Sequence, residues 1–309
     1  MNSSVASLET MADNGDSLDL DGTVSWRALL AETEALLERS GVSENPKTEA
    51  KWIIEEVTGT AGAEYLDALD GLATVRGVNH LDALVERRVA GEPIQYVLGH
   101  WAFRLLDLMV DQRVLIPRPE TEVVAGLAMD ELDRVRPQGG GIVVDLGTGS
   151  GAIGLSVAAE RKPSRVLLTD VSNEALTVAR ANLAGLGLVA RCVEITHGSW
   201  FDALPEDLLG HCDVIISNPP YVTTEEVLAP SVSEWEPSSA LLAGRDGLDD
   251  LRLIVTGAAA WLRPGGALVL EMGTGQTSAV AALAEEHGFI TEVHHDYAGH
   301  DRAVVARWT

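Results

Sequence analysis

Gly141-Ile142-Val143-Val144-Asp145-Leu146-Gly147-Thr148-Gly149-Ser150-Gly151 reads as a buried aliphatic strand running straight into a glycine-rich loop. Glycines there allow a ligand to approach the backbone closely, and a helix expected from about Ser150 to Arg161 presents free N–H groups at its start. Gly149, Gly151 and Gly154 spell GxGxxG, and Asp170 closes the next strand nineteen residues after Gly151, the layout of a nucleotide-binding βαβ unit. Working outward, aliphatic runs predict further strands at 165–169, 190–196, 213–217 and 266–271. Helical patterns at about 151–161, 173–184, 249–262 and 277–287 alternate with them. Such alternation implies an α/β fold, a mainly parallel sheet covered by helices on both faces. Two late runs, about 289–296 and 302–308, flank a short Gly-containing turn and are expected to pair antiparallel at the sheet edge. That closing hairpin gives seven strands and separates a methyltransferase-type sheet from a dinucleotide-binding one.

Asp145 argues against a dinucleotide, because a carboxylate at that strand end would lie beside a pyrophosphate and repel it. It suits a ligand with an ammonium group and no phosphate. S-adenosylmethionine is such a ligand: its amine and sulfonium are positive, and its ribose hydroxyls can donate to Asp170. The second informative stretch is Asn218-Pro219-Pro220-Tyr221, directly after the run Asp213 to Ser217. It has the chemistry of a clamp for a planar amino group. An amide or aromatic amine nitrogen is a poor nucleophile because its lone pair is delocalised, so orienting that lone pair carries much of the catalysis. The Asn218 carbonyl accepts one N–H and a main-chain carbonyl in the Pro219–Pro220 segment the other. The prolines fix φ and remove competing donors, and Tyr221 supplies a flat wall. An ordinary strand-to-loop turn is the plainer reading of the tetrapeptide alone. Gly147, Asp170 and Asn218 all fall at carboxyl ends of strands, where ligands bind in such sheets.

The residues resemble the S-adenosylmethionine-dependent protein-(glutamine-N5) methyltransferases that act on peptide chain release factors. The likeness covers most of the chain. It includes Gly91 to Tyr96 with Gly99, Leu115 to Glu122, Glu236-Pro237, Ala240-Leu241, Gly244 to Asp249, Leu270-Glu271, Gly273, Gln276, and Asp296 to Gly299 with Asp301-Arg302. Asn-Pro-Pro-Tyr itself is shared with adenine-N6 methyltransferases, so the specificity lies in the flanking set. The resemblance implies a Rossmann-like class I methyltransferase domain preceded by a small α-helical domain, in a cytoplasmic enzyme. It implies S-adenosylmethionine as methyl donor, leaving as S-adenosylhomocysteine, and class-1 release factors as protein partners. By the same resemblance, Asp145, Gly147, Thr148, Gly149, Ser150, Gly151, Asp170, Trp200 and Asn218 bind the cofactor. Asn218, Pro219, Pro220 and Tyr221 hold the substrate glutamine, and no metal is required. One departure is Ser199, where the family often carries an acid beside the adenine.

The chain's 309 residues suggest two domains. With 22 basic against 47 acidic residues, the net charge of −25 disfavours a nucleic-acid substrate and is compatible with a basic protein partner; solubility alone also accounts for it. Residues 1–22 hold five acids and no Lys or Arg, and are expected to form a disordered acidic tail. No basic-then-apolar leader and no apolar run of roughly eighteen residues is present, so neither export by a standard signal nor a membrane span is expected. Cys192 and Cys212 are expected as buried reduced thiols. A helical substrate-recognition domain is expected over 23–98, with helices from Ser25 to Arg39, from Asn45-Pro46 to Gly59, and over about 79–90, where Trp26 and Trp52 fit core packing better than partner contacts. Residues 99–116 read as a connector or hairpin, with Pro117 and Pro119 punctuating entry to the methyltransferase domain, 117–309. Phe103 and Glu271 are equally compatible with bordering a substrate pocket and with ordinary core or surface roles. Three rival readings stay open: an adenine-N6 methyltransferase, which needs a basic or target-reading face; a nicotinamide-dependent dehydrogenase, which leaves Asn218 to Tyr221 unexplained; and a non-catalytic binding module, which an eroded site would support.

Overall fold

The computed structural model describes residues 23–309; the expected acidic tail, 1–22, lies outside them. The chain divides after Gly91 into two compact units. The first is helical: α1 (Trp26–Ser40), α2 (Pro46–Thr58), α3 (Gly62–Ala68) and α4 (Val75–Val89). Local signals set its ends. The Ser25 hydroxyl accepts from the Ala28 N–H, Pro46 opens α2, and Gly41 and Gly59 close α1 and α2 at φ +69° and +66°. The short α3 was not expected, and α4 starts four residues early because the Thr74 hydroxyl caps it by accepting from the Gly77 N–H. Leu29, Leu37, Ile53, Ile54, Leu81 and Leu84 form its core. Trp26 and Trp52 are half-buried.

The second unit, Glu92–Thr309, opens with α5 (Ile94–Leu98) and the antiparallel pair β1 (His100–Phe103) and β2 (Leu106–Met109). The expected domain limit at residue 98 differs from the division after Gly91. Tyr96 on α5 is buried with Val110, Val114 and Ile116 and donates its hydroxyl to the Val114 carbonyl, which binds α5 to this second unit. Next comes α6 (Pro119–Val135), where only proline punctuation was expected. Pro119 sits at its first turn with Glu120 and Glu122, so the break is a helix start.

The sheet follows: β3 (Ile142–Leu146), α7 (Ala152–Glu160), β4 (Arg165–Asp170), α8 (Asn173–Ala184), β5 (Val193–His197), β6 (Cys212–Ser217), the one-turn α9 (Pro230–Ser233), α10 (Asp249–Trp261), β7 (Leu262–Glu271), α11 (Thr277–Glu286), β8 (Phe289–His295) and β9 (Asp301–Trp308). Strand order is β5-β4-β3-β6-β7-β9-β8, with β9 antiparallel to both neighbours and the other pairs parallel. The expected seven-stranded sheet with its antiparallel closing hairpin is present. Two strand limits moved. Residues 190–192 belong to a 3-10 turn, Gly187–Cys192, and β7 begins at Leu262 because its first residue pairs with Cys212 ahead of a bulge.

Strand alternation sorts the side chains into two layers. Val143, Val214, Ile216, Ala267 and Val269 pack under α6 and α7, while Val144, Leu146, Ile215, Leu268 and Leu270 pack under α10 and α11. Each fully buried Val, Leu or Ile contributes about 1.5–3 kcal/mol. Phe103 belongs to the first of these cores, not to a substrate pocket. Cys212 is buried, its thiol pushed up to about 12 by that burial, and Cys192 is only half-buried; both are free. No described helix is long and apolar enough to cross a membrane.

Candidate active site

The carboxyl ends of β3, β4 and β6 open onto a cleft of about 280 Å3. Its floor is the loop after β3, with Gly147, Gly149 and Gly151 at φ +70°, +55° and +87°, a left-handed path that L side chains rarely follow. A Cβ on Gly147 would sit 3.3 Å from the Trp200 ring. The glycine therefore lets the backbone lie flat against that indole. Gly147, Thr148, Gly149, Ser150, Asp170 and Trp200 line the cleft. Gly151 is the helix cap just behind it, at a spot where a Cβ would strike Leu155 at 2.7 Å.

Asp170 accepts from the Gly149 and Ser172 N–H groups, each at 2.9 Å. Burial raises its carboxyl pKa above the usual range. Its two oxygens keep lone pairs that can accept from hydroxyls of a ligand. Trp200 has φ +44°, a strained value for a bulky residue, and such strain persists only where the surroundings over-determine it. The carboxylate of Asp250, which also lines the cleft, faces the indole N–H; Trp200 is half-buried and Ser199 exposed.

Asp145 departs from expectation. It is 1% exposed and does not line the cleft. Its Oδ2 accepts from the Thr148 hydroxyl at 2.6 Å and the Gly154 N–H at 2.9 Å, so it braces the loop and the first turn of α7 from beneath. Alternation explains the direction: Asp145 lies two residues from Val143 and shares its face of β3, the one α7 covers. Burial pushes its carboxyl up to about 6, and Oδ1 has no hydrogen-bond partner.

A smaller adjoining cleft of about 110 Å3 is lined by Leu115, Arg118, Asn218, Tyr221, Val222, Ala240 and Leu241. Asn218 lines both spaces, Pro220 the larger, Tyr221 the smaller, and Pro219 is buried behind them. Asn218 therefore stands at the junction. Its Nδ2 donates to the Thr121 hydroxyl oxygen at 3.3 Å, and among the described residues no group donates to its carbonyl oxygen. Supporting ties converge on this corner. Gln276 donates to the Tyr221 carbonyl at 3.0 Å and accepts from the Gly273 N–H at 2.8 Å, stapling two loops. The buried Glu236 takes the Ile116 N–H at 3.1 Å and pairs with Arg118, which holds the segment 115–118 over the smaller cleft. Thr121, Arg118, Gln276 and Glu236 were visible in the sequence only as members of a resembling set. Their roles required knowing that α6 starts at Pro119 and faces the β6 and β7 ends.

Comparisons with known proteins place the chain in a family. Residues 28–99 match the PrmC N-terminal domain and residues 127–234 the methyltransferase small domain. A release factor glutamine methyltransferase of Agrobacterium fabrum is 35% identical over 93% of this chain and 98% of its own length. Those of Moorella thermoacetica and Xylella fastidiosa are 39% and 43% identical, over 92% and 73% of this chain and 98% and 80% of theirs. The chain belongs to the release factor glutamine methyltransferase family. Among solved structures, the hMettl16 catalytic domain in complex with the MAT2A 3′UTR hairpin 6 superposes with a TM-score of 0.50 at 13% identity, over 78% of this chain and 85% of that one. That likeness bears on the fold alone.

Proposed function

We propose that this enzyme methylates the side-chain amide nitrogen of the glutamine in the Gly-Gly-Gln loop of class-1 peptide chain release factors, with S-adenosylmethionine as donor. The observation that carries the reading, beside family membership, is Asn218 at the junction of two clefts, its carbonyl receiving no donor among the described residues. The larger cleft fits the donor: glycine backbone without Cβ atoms, a carboxylate at the end of β4 for ribose hydroxyls, and the flat face of Trp200 for the base. Bound there, the donor supplies an electrophilic methyl on a sulfonium.

In the smaller cleft the glutamine amide donates one N–H to the Asn218 carbonyl and the other to a main-chain carbonyl of the Pro219–Pro220 segment, and lies against Tyr221. Held so, its nitrogen lone pair points toward the larger cleft. The nitrogen forms a bond to the methyl carbon as the carbon–sulfur bond breaks. The electron pair leaves with sulfur as the thioether S-adenosylhomocysteine, and the surplus N–H proton passes to water. Carbonyl oxygens at both N–H groups stabilise the positive charge that grows on nitrogen in the transition state. The glycines of the target loop let its glutamine enter a narrow cleft without flanking side chains colliding. The helical unit would grip the remainder of the factor, and the reaction belongs in the cytoplasm with its translation-factor substrate. The net charge of −25 disfavours nucleic acid.

The test is transfer of labelled methyl to a purified release factor, set beside its Gln→Glu variant and duplex DNA. Label on the native loop alone supports the reading. Label on DNA moves the enzyme to the adenine class.

A further inference from the structure

The amide of Asn218 can meet a substrate in two orientations, and only one is productive. With its carbonyl toward the smaller cleft it accepts an N–H; flipped by a half-turn it presents its own NH2 to the substrate NH2, donor against donor. What selects the orientation lies behind it, where α6 meets the ends of β6 and β7. Asn218 Nδ2 faces Thr121 Oγ1 at 3.3 Å. The Thr121 hydroxyl in turn lies against the carboxylate of Glu271, the last residue of β7, placed to donate to it. Glu271 continues the stripe of Ala267 and Val269 that faces α6, is 1% exposed, and also receives the Tyr221 hydroxyl at 3.4 Å. Its other oxygen, Oε2, is buried with no hydrogen-bond partner among the described residues. A carboxylate kept this dry and half-satisfied opposes folding, so packing alone does not account for it.

We propose that Glu271, acting through Thr121, is the positioning residue that fixes the Asn218 amide with its carbonyl toward the substrate. The proposal rests on the glutamine-methylation reading above for its consequence, but not for its geometry. An ionised Glu271 can only accept, so it commits the Thr121 hydrogen. Thr121 Oγ1 can then only accept from Asn218, and the amide must turn its NH2 inward. A protonated Glu271 can donate to Thr121 instead, which frees the Thr121 hydrogen to point at Asn218 and permits the flipped amide. The groups facing Glu271 are Thr121 and Glu120 from α6, Tyr221 from the loop after β6, and Arg302 from β9. Arg302 is held by Asp296 and the Met272 carbonyl, so it offers charge at a distance rather than a hydrogen bond. Burial outweighs that cation and pushes the carboxyl up to about 7. Productive orientation is therefore gained as pH rises through neutrality.

The relay is read without any substrate from the side-chain NH2 resonances of Asn218 in 15N-labelled protein, assigned by their loss in Asn218→Asp. In the wild type they are expected to shift with a midpoint near pH 7, and in Glu271→Gln to stop responding across that range. In parallel, Thr121→Val is expected to lower kcat at saturating cofactor by roughly 10- to 100-fold, and Thr121→Ser to restore most of it. Failure of the wild type to methylate a release factor would refute the functional reading while the resonances still report on the relay. Asn218 resonances that do not titrate in the wild type, or that titrate equally in Glu271→Gln, would overturn the relay. So would a Thr121→Val enzyme with wild-type kcat.

Discussion

Asn218 concentrates the chemistry in one side chain. It is the residue that both clefts share, and its carbonyl is the acceptor that a planar NH2 needs. Asn218→Ala should reduce kcat by about 100-fold or more, in line with removal of other preorganised hydrogen-bonding groups. Cofactor affinity, read by calorimetry, should fall far less than kcat, because the glycine loop, Asp170 and Trp200 remain. An Asn218→Ala enzyme with wild-type kcat would remove the clamp from the mechanism. This residue was legible in the sequence because the tetrapeptide follows a strand and stands within a resembling flanking set; the tetrapeptide alone reads equally as a turn. Asp145 was read only by half. Its type and place at a strand end were plain, but its direction followed from the two-residue alternation with Val143, which puts it beneath α7 rather than in the cleft.

Element by element, the glycine loop and the start of α7 depend on close approach to the sheet. A Cβ on Gly154 would lie 2.2 Å from a methyl of the fully buried Leu168 and 3.0 Å from Asp145 Oδ2. Gly154→Ala should therefore destabilise the protein by about 1–3 kcal/mol, measured by urea unfolding, and weaken cofactor binding as the loop shifts. The opposite wall depends on α10, whose Asp250 faces the indole N–H of the strained Trp200. Asp250→Ala should weaken cofactor binding roughly 3- to 10-fold, the worth of one hydrogen bond, with kcat at saturating cofactor retained. Quenching of tryptophan fluorescence on titration reads that affinity, and an unchanged Kd would free Trp200 from this dependence. The strands and the later helices were legible because aliphatic runs end at Gly, Asn or Asp. The α6 helix was not, since Pro119 serves equally as a break and as a first-turn residue, and nothing local says which. Without α6, Thr121 had no partner to find, and Glu271 could not be told from a surface acid.

At the scale of the whole molecule, function sets stability against pH. Burial lifts Asp145 to about 6 and Glu271 to about 7, above their unfolded values near 4. Over that interval the folded state binds more protons than the unfolded one, so both groups erode stability as pH rises from about 4 to 7 and add no further slope above it. Asp111, held low by its hydrogen bond from Arg113, and Glu160, by its hydrogen bonds from Arg104, act oppositely and lose their contribution in acid. Greatest stability is accordingly expected on the acid side of neutral. Glu271→Gln should gain about 1–3 kcal/mol over the wild type at pH 8 and almost nothing at pH 4, in denaturant titrations at the two pH values. A gain of equal size at both would show that the buried charge is not the cause. The net charge of −25 adds self-repulsion, so moderate salt should raise Tm at neutral pH. The fold, the clamp and the charge together point to one product, a glutamine carrying the methyl on its amide nitrogen. The most direct measurement is therefore acid hydrolysis of a release factor labelled by this enzyme from methyl-labelled S-adenosylmethionine, since only a methylated side-chain amide releases labelled methylamine. Labelled methylamine from the native Gly-Gly-Gln factor, absent with the Asn218→Ala enzyme, is the expected result; label that stays on an acid-stable amino acid would contradict amide methylation and the role given to Asn218.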